Sequence, residues 1–71
     1  MYKTIIAKYF DNVNGVDDIA AELQNGNVGK LNQLLNKEYD NGWELVSMTT
    51  VPLRVVSGCC DYVLIFKKRS N

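Results

Sequence analysis

The stretch at residues 41–47 reads NGWELVS and decides the fold, because a helical pattern ends there and a strand pattern begins. Gly42 has no Cβ and therefore suits the left-handed conformation with which many helices end. Trp43, the only tryptophan, opens the strand. We predict a structural corner at Gly42 and Trp43. The alternative is a hairpin turn at Asn41-Gly42, but the leucine spacing upstream favours a helix end.

Two helical patterns precede this corner. The longer one predicts the main helix over residues 28–40, with Asn27 as an N-cap whose side chain accepts from the free amides of the first turn. Its apolar residues recur at helical spacing and form one stripe: Val28, Leu31, Leu34 and Leu35. A shorter pattern, with Ile19, Ala20 and Leu23, is compatible with a short helix over residues 17–24.

Three segments have the aromatic and β-branched composition of strands: residues 2–10, 43–51 and 59–68. Strict alternation in the second segment would place Trp43 and Leu45 on one face and Met48 on the other. Pro52 should end this strand, because it has no amide to donate. The third segment contains the apolar run YVLIF at residues 62–66, which suits a strand in the middle of a sheet.

The order of these elements predicts an α+β fold in a single domain over residues 1–71. The second and third strands are joined by a short connection and should be antiparallel. Placing the third strand centrally gives a split β-α-β arrangement with strand order 1-3-2. The main helix covers one face of this sheet, so the other face needs the short helix or another subunit.

Composition narrows the classes of function and partner. Eight basic and eight acidic side chains give no net charge, whereas nucleic-acid binders usually carry a basic excess. No apolar run approaches the roughly 20 residues that span a bilayer, and the first residues lead straight into a strand pattern without a signal peptide. We therefore expect a cytoplasmic protein with no nucleic-acid or membrane partner. A domain of this size has a marginal core, so we also expect a homo-oligomer, with a dimer favoured.

Residues that could carry out chemistry are few. The chain has no histidine, so acid-base catalysis near neutral pH would need a perturbed carboxylate, lysine or cysteine. Asp17, Asp18 and Glu22 could approach a cation, but they suit the first turn of a helix better. Cys59 and Cys60 are adjacent, so a bridge between them would be strained, and two thiols are too few for a metal site. We predict no enzymatic activity, no catalytic residues, no cofactor and no metal.

Two segments could form a binding surface. The loop formed by Leu53, Arg54, Val55 and Val56 is unusually apolar. It either folds back over the sheet edge or forms a protein contact with Arg54 as an anchor. The sequence NGNVGK at residues 25–30 lacks the full spacing of a phosphate-binding loop, although amides at that helix start could hold an anion.

Four segments resemble a family of small bacterial and phage domains of unknown function. They are YK at residues 2–3, LNQLLN at 31–36, GWELVS at 42–47 and YVLIFKK at 62–68. Members typically have a strand, a helix, GWELVS, a loop and a final strand ending in FKR or FKK. This chain departs from that pattern in its longer section between residues 11 and 27. The resemblance implies a small α+β fold and supplies no catalytic residues.

Two hypotheses about function follow. The first is a non-enzymatic protein-interaction module that self-associates through the sheet or through the loop at residues 53–56. The family resemblance suggests a phage or mobile-element setting, in which the module would bind and modulate a host protein. The second is a small-molecule or anion binding protein, with its site at a subunit junction near residues 26–30.

Overall fold

The computed structural model describes residues 1–9, 19–55 and 57–70. In chain order the elements are β1 (Tyr2–Ala7), α1 (Ile19–Gln24), α2 (Gly29–Asp40), β2 (Trp43–Pro52) and β3 (Cys60–Lys68). Four residues that belong to predicted elements or sites lie outside the described residues: Phe10, Asp17, Asp18 and Val56.

The three strands form one antiparallel sheet in the order β1-β3-β2, which confirms the predicted α+β fold and strand order. β3 pairs with β1 on one side and with β2 on the other, as the apolar run at residues 62–66 indicated. The other two strands are therefore both edge strands. This position matters for function, because an edge strand has backbone groups that no neighbouring strand of the sheet satisfies.

The core lies between the sheet and the two helices. It is formed by Ala7 of β1, Ile19 of α1, Leu31 of α2, and Leu64 and Phe66 of β3. Because both helices contribute to this one cluster, α1 and α2 pack on the same side of the sheet, here called the helix face. The opposite side is called the open face.

A β-bulge in β2 changes which of its side chains lie on the helix face. The pairing register shifts between Leu45 and Ser47, so Val46 is the extra residue. Beyond the bulge, Met48 lies opposite Leu64, which is a core residue on the helix face. The prediction from strict alternation, which put Met48 on the other face from Leu45, is therefore wrong, because the bulge shifts the alternation by one residue.

Three predictions at element boundaries also need correction. Pro52 does not end the pairing of β2 with β3, because its missing N–H faces away from β3 and the Leu53 amide still donates to the Cys59 carbonyl at 3.0 Å. β1 ends at Ala7 rather than continuing, because the backbone N–H of Tyr9 donates to the Asp61 carboxylate at 2.8 Å instead of to a strand. Asn27 is not the N-cap of α2. Val28 has that position without a side-chain cap, and the Asn27 amide donates to the Glu22 carboxylate at 3.3 Å.

The chain turns from α2 into β2 at Gly42, which has a φ of +93°. Its N–H donates to the carbonyl of Tyr39 at 3.0 Å, and its own carbonyl accepts from the Arg69 amide at 2.8 Å. The half-buried Trp43 packs against the core, with the Lys68 ammonium 5.2 Å from its ring centroid. The Arg69 guanidinium lies 4.0 Å from the centre of the Tyr39 ring. Gly42 and Trp43 thus join the last turn of α2 to the end of the β2–β3 ladder where Trp43 pairs with Lys68.

Candidate interaction surface

No helix of the described residues covers the open face of the sheet. The register places its side chains in rows that run across the three strands. One row holds Ile6, Val63 and Thr49, the next holds Thr4, Ile65 and Ser47, and the third holds Tyr2, Lys67 and Glu44. The first two rows are uncharged. The third contains a salt bridge in which the Lys67 ammonium lies 3.5 Å from the Glu44 carboxylate, with both side chains well exposed.

The apolar part of the open face is most exposed along β1. Tyr2 is 71% exposed and Ile6 is 51% exposed, although both belong to a strand of the sheet. The central residues Val63 and Ile65 of β3 are half-buried by their neighbours. Exposed apolar side chains that lie together on one face are typical of a surface that contacts another molecule.

Within the described residues, no strand pairs with the outer edge of β1. The Lys68 amide donates to the Met1 carbonyl at 3.0 Å, which fixes the alternation of hydrogen bonds between β1 and β3. From this alternation, Lys3, Ile5 and Ala7 direct their N–H and C=O groups toward β3. Tyr2, Thr4 and Ile6 therefore direct theirs away from the sheet. The pairing with β3 continues without a register shift from Tyr2 to Ala7, so the hydrogen-bond alternation along this edge is regular.

The outer edge of β2 is different. The Leu53 amide donates to the Cys59 carbonyl at 3.0 Å, so the alternate residues Met48, Thr50 and Pro52 direct their backbone groups away from β3. Pro52 has no N–H, and the bulge at Val46 interrupts the other end of this edge. Proline and bulges are both features that hinder further strand pairing at a sheet edge. The two edges of this sheet are therefore not equivalent.

An internal ion pair holds the only charged side chain of β1. The Lys3 ammonium lies 2.6 Å from the Glu38 carboxylate of α2 and 5.5 Å from the centre of the Trp43 ring. Glu38 is buried, whereas Lys3 is partly exposed. Glu38 was not predicted as a site residue, although its position continues the spacing of Leu31, Leu34 and Leu35 on the apolar stripe. Lysines often discourage pairing at edge strands, but the charge of Lys3 is drawn onto the helix face.

The predicted candidate interface at residues 53–56 is not a uniform surface. Leu53 is partly buried and extends the β2–β3 ladder through its bond to Cys59. Arg54 and Val55 are exposed, Val55 to 83%, and Val56 lies outside the described residues. The carbonyl of the nearby Gly58 accepts from the Gln24 side chain at 2.6 Å, which ties this end of the hairpin to α1.

The predicted anion site near residues 26–30 contains a carboxylate. Asn27 uses its side-chain amide and its backbone N–H to bond the side chain and the carbonyl of Glu22. A negative side chain at this corner opposes the binding of an anion. Within the described residues, no group of three or more potential metal ligands comes together.

Each cysteine lies beside a tyrosine, and both cysteines are free and partly buried. A hydrogen bond with Cys60, together with burial, raises the pKa of the Tyr62 hydroxyl. A hydrogen bond with Cys59 raises the pKa of Tyr9 in the same way. These contacts lie at the end of the sheet where β3 begins.

Comparison with known proteins adds no relative, since no family model, curated protein or solved structure matches the chain. The resemblance to small bacterial and phage domains stays a prediction. Across residues 1–9, 19–55 and 57–70, none of the helices is long and apolar enough to cross a membrane.

Proposed function

We propose that this chain is a protein-interaction module without enzymatic activity that works as a homodimer. The observation that carries the proposal is the one-sided sheet: both described helices pack on the helix face, while exposed Tyr2 and Ile6 lie on the open face beside an unpaired edge. A small domain with such a sheet gains stability by burying that surface against another chain.

The ionisable side chains support this proposal over a catalytic role. Among the described residues, the buried Glu38 is paired with Lys3, and Glu44 is paired with Lys67 on the protein surface. Each of these carboxylates is paired with a lysine, and the two pairs do not lie together in one site. The open face, in contrast, offers mainly apolar and hydroxyl side chains, which suit contact with a protein rather than acid-base chemistry.

The proposed setting is the cytoplasm of a bacterium, where the dimer would bind and modulate a host protein. This part of the proposal follows from the family resemblance, and the open face is the surface available for such a partner. The small-molecule or anion binding alternative receives less support, because the Glu22 carboxylate of α1 bonds Asn27, two residues before α2 begins. A thermal-shift screen with phosphate and nucleotides tests that alternative, since a ligand of the folded state must raise its stability.

Size-exclusion chromatography with light scattering tests the proposed self-association. The chain has a mass of 8.0 kDa, and we expect a mass that rises toward twice that value as the concentration increases through the micromolar range. A constant mass of 8.0 kDa up to millimolar concentration would contradict the homodimer.

A further inference from the structure

We propose that two copies of this chain join through their β1 strands, antiparallel and with Thr4 opposite Thr4 of the second copy. The two sheets then form one continuous sheet of six strands. This inference rests on the proposed function and gives its self-association a defined geometry.

The backbone of β1 determines this register. Tyr2, Thr4 and Ile6 direct their N–H and C=O groups to the free edge, and in an antiparallel pair such residues face one another and exchange hydrogen bonds. A register centred on Thr4 uses all of them, because Tyr2 then faces Ile6 of the second copy at both ends. The contact contains about six backbone hydrogen bonds, two for each facing pair.

The side chains of this register are complementary. On the open face, two pairs of Tyr2 with Ile6 flank the central threonine pair, and aromatic pairs with β-branched residues stabilise neighbouring strands. On the helix face, Lys3 of each copy lies opposite Ile5 of the other. The ammonium of Lys3 is held by Glu38 and Trp43 of its own chain, so two lysine charges are not brought together across the axis.

The structure favours β1 over β2 as the pairing edge. At the edge of β2, Pro52 lacks the N–H that faces outward, and the bulge at Val46 bends the strand at the other end. Only Met48 and Thr50 keep both outward backbone groups in the regular part of this strand. β1 has three such residues in an unbroken register.

The structure also favours edge pairing over stacking of two open faces. Stacking would bring the exposed pair of Lys67 and Glu44 into the contact, and removing such charges from water is costly. In the edge-paired dimer this pair stays in solvent. A contact of one short strand per chain is small, so we expect a dimer that forms reversibly in the micromolar range.

Charge substitutions at Thr4 test the register. In Thr4→Lys or Thr4→Glu, two like charges face each other across the axis, and we expect the dissociation constant of the dimer to rise at least about tenfold. An equimolar mixture of the two variants should dimerise again, which also shows that both are folded. The matched control is Thr49→Lys, because Thr49 is exposed on the open face but belongs to β2. It should dimerise like the wild type.

Amide hydrogen exchange gives a second, direct measurement. The amides of Tyr2, Thr4 and Ile6 should exchange more slowly as the protein concentration rises, while those of Met48 and Thr50 should not change. A wild-type dimer that is unaffected by Thr4→Lys, or that dissociates equally with Thr49→Lys, would overturn this register and leave the self-association standing. A wild type that stays monomeric at every concentration would overturn both.

Discussion

Removing Lys3 should destabilise the fold more than neutralising its partner Glu38. The two side chains are joined at 2.6 Å, but the Lys3 side chain is 38% exposed and the Glu38 side chain only 7% exposed. In Lys3→Met, the aliphatic stem beside Trp43 is kept while the nearly buried carboxylate loses its cation. In Glu38→Gln, the lysine that remains can turn into solvent, and the amide oxygen can still accept a hydrogen bond.

The size of this difference follows from the burial of each group. Breaking a buried pair so that a charge is left without compensation costs about 3–5 kcal/mol, whereas an exposed pair contributes about 0–1 kcal/mol. Because Lys3 is partly exposed, we expect the lower end of the first range for Lys3→Met, about 3 kcal/mol. For Glu38→Gln we expect about 1 kcal/mol. In a domain of this size, each kcal/mol of lost stability lowers the melting temperature by roughly 4–8 °C. The melting temperatures of Lys3→Met and Glu38→Gln should therefore differ by about 10 °C.

Urea unfolding followed by circular dichroism measures both free energies, and the double variant Lys3→Met, Glu38→Gln completes the cycle. The double variant has no stranded charge, so it should be more stable than Lys3→Met alone. Equal losses for the two single variants, or a double variant whose loss is the sum of both, would refute the argument from burial.

Three further predictions concern Gly42 at the corner, the stability at alkaline pH and the hindered edge of β2. Gly42→Ala should cost about 1–2 kcal/mol in urea unfolding, because φ is +93°; Gly29→Ala, with open space around its position, should cost nothing. Folding raises the pKa of Tyr62 and Tyr9, so above a pH of about 10 the folded protein keeps protons that the unfolded chain loses. The free energy of unfolding should therefore decrease as the pH rises through this range. Tyr62→Phe should make this decrease smaller. Pro52→Val restores an outward N–H to β2 and should produce assemblies larger than a dimer in light scattering; an unchanged mass distribution would count against the role given to this proline.

The strand order could be predicted from the sequence because it depends on one local feature. The run at residues 62–66 is apolar on both faces, which favours a strand between two others, and the structure places β3 there although only its helix face is covered. The helix end at Gly42 was equally local, since a glycine that follows a leucine-spaced helix has few other uses. The bulge at Val46 could not be predicted, because the register of β2 depends on how the whole strand pairs with β3.

The candidate surface was harder to predict than the fold. An uncovered sheet face could be expected from one main helix, but its extent depended on where α1 packs, and α1 lies with α2 on the helix face. The partnership of Lys3 with Glu38 joins residues far apart in the sequence, and no local pattern indicates it. The apolar loop drew attention to Leu53, yet this residue proved to be part of the hairpin ladder.

The difference between the two sheet edges has a consequence for assembly. If both edges could pair, β1 of one copy could join β2 of the next, and such a head-to-tail contact repeats without closing. Pro52 and the bulge at Val46 hinder this arrangement, whereas pairing of β1 with β1 is two-fold symmetric and leaves no further open β1 edge. The proposed dimer therefore ends with a hindered β2 edge on each side. On this reasoning Pro52, which the sequence marked only as the end of a strand, limits the assembly to two copies.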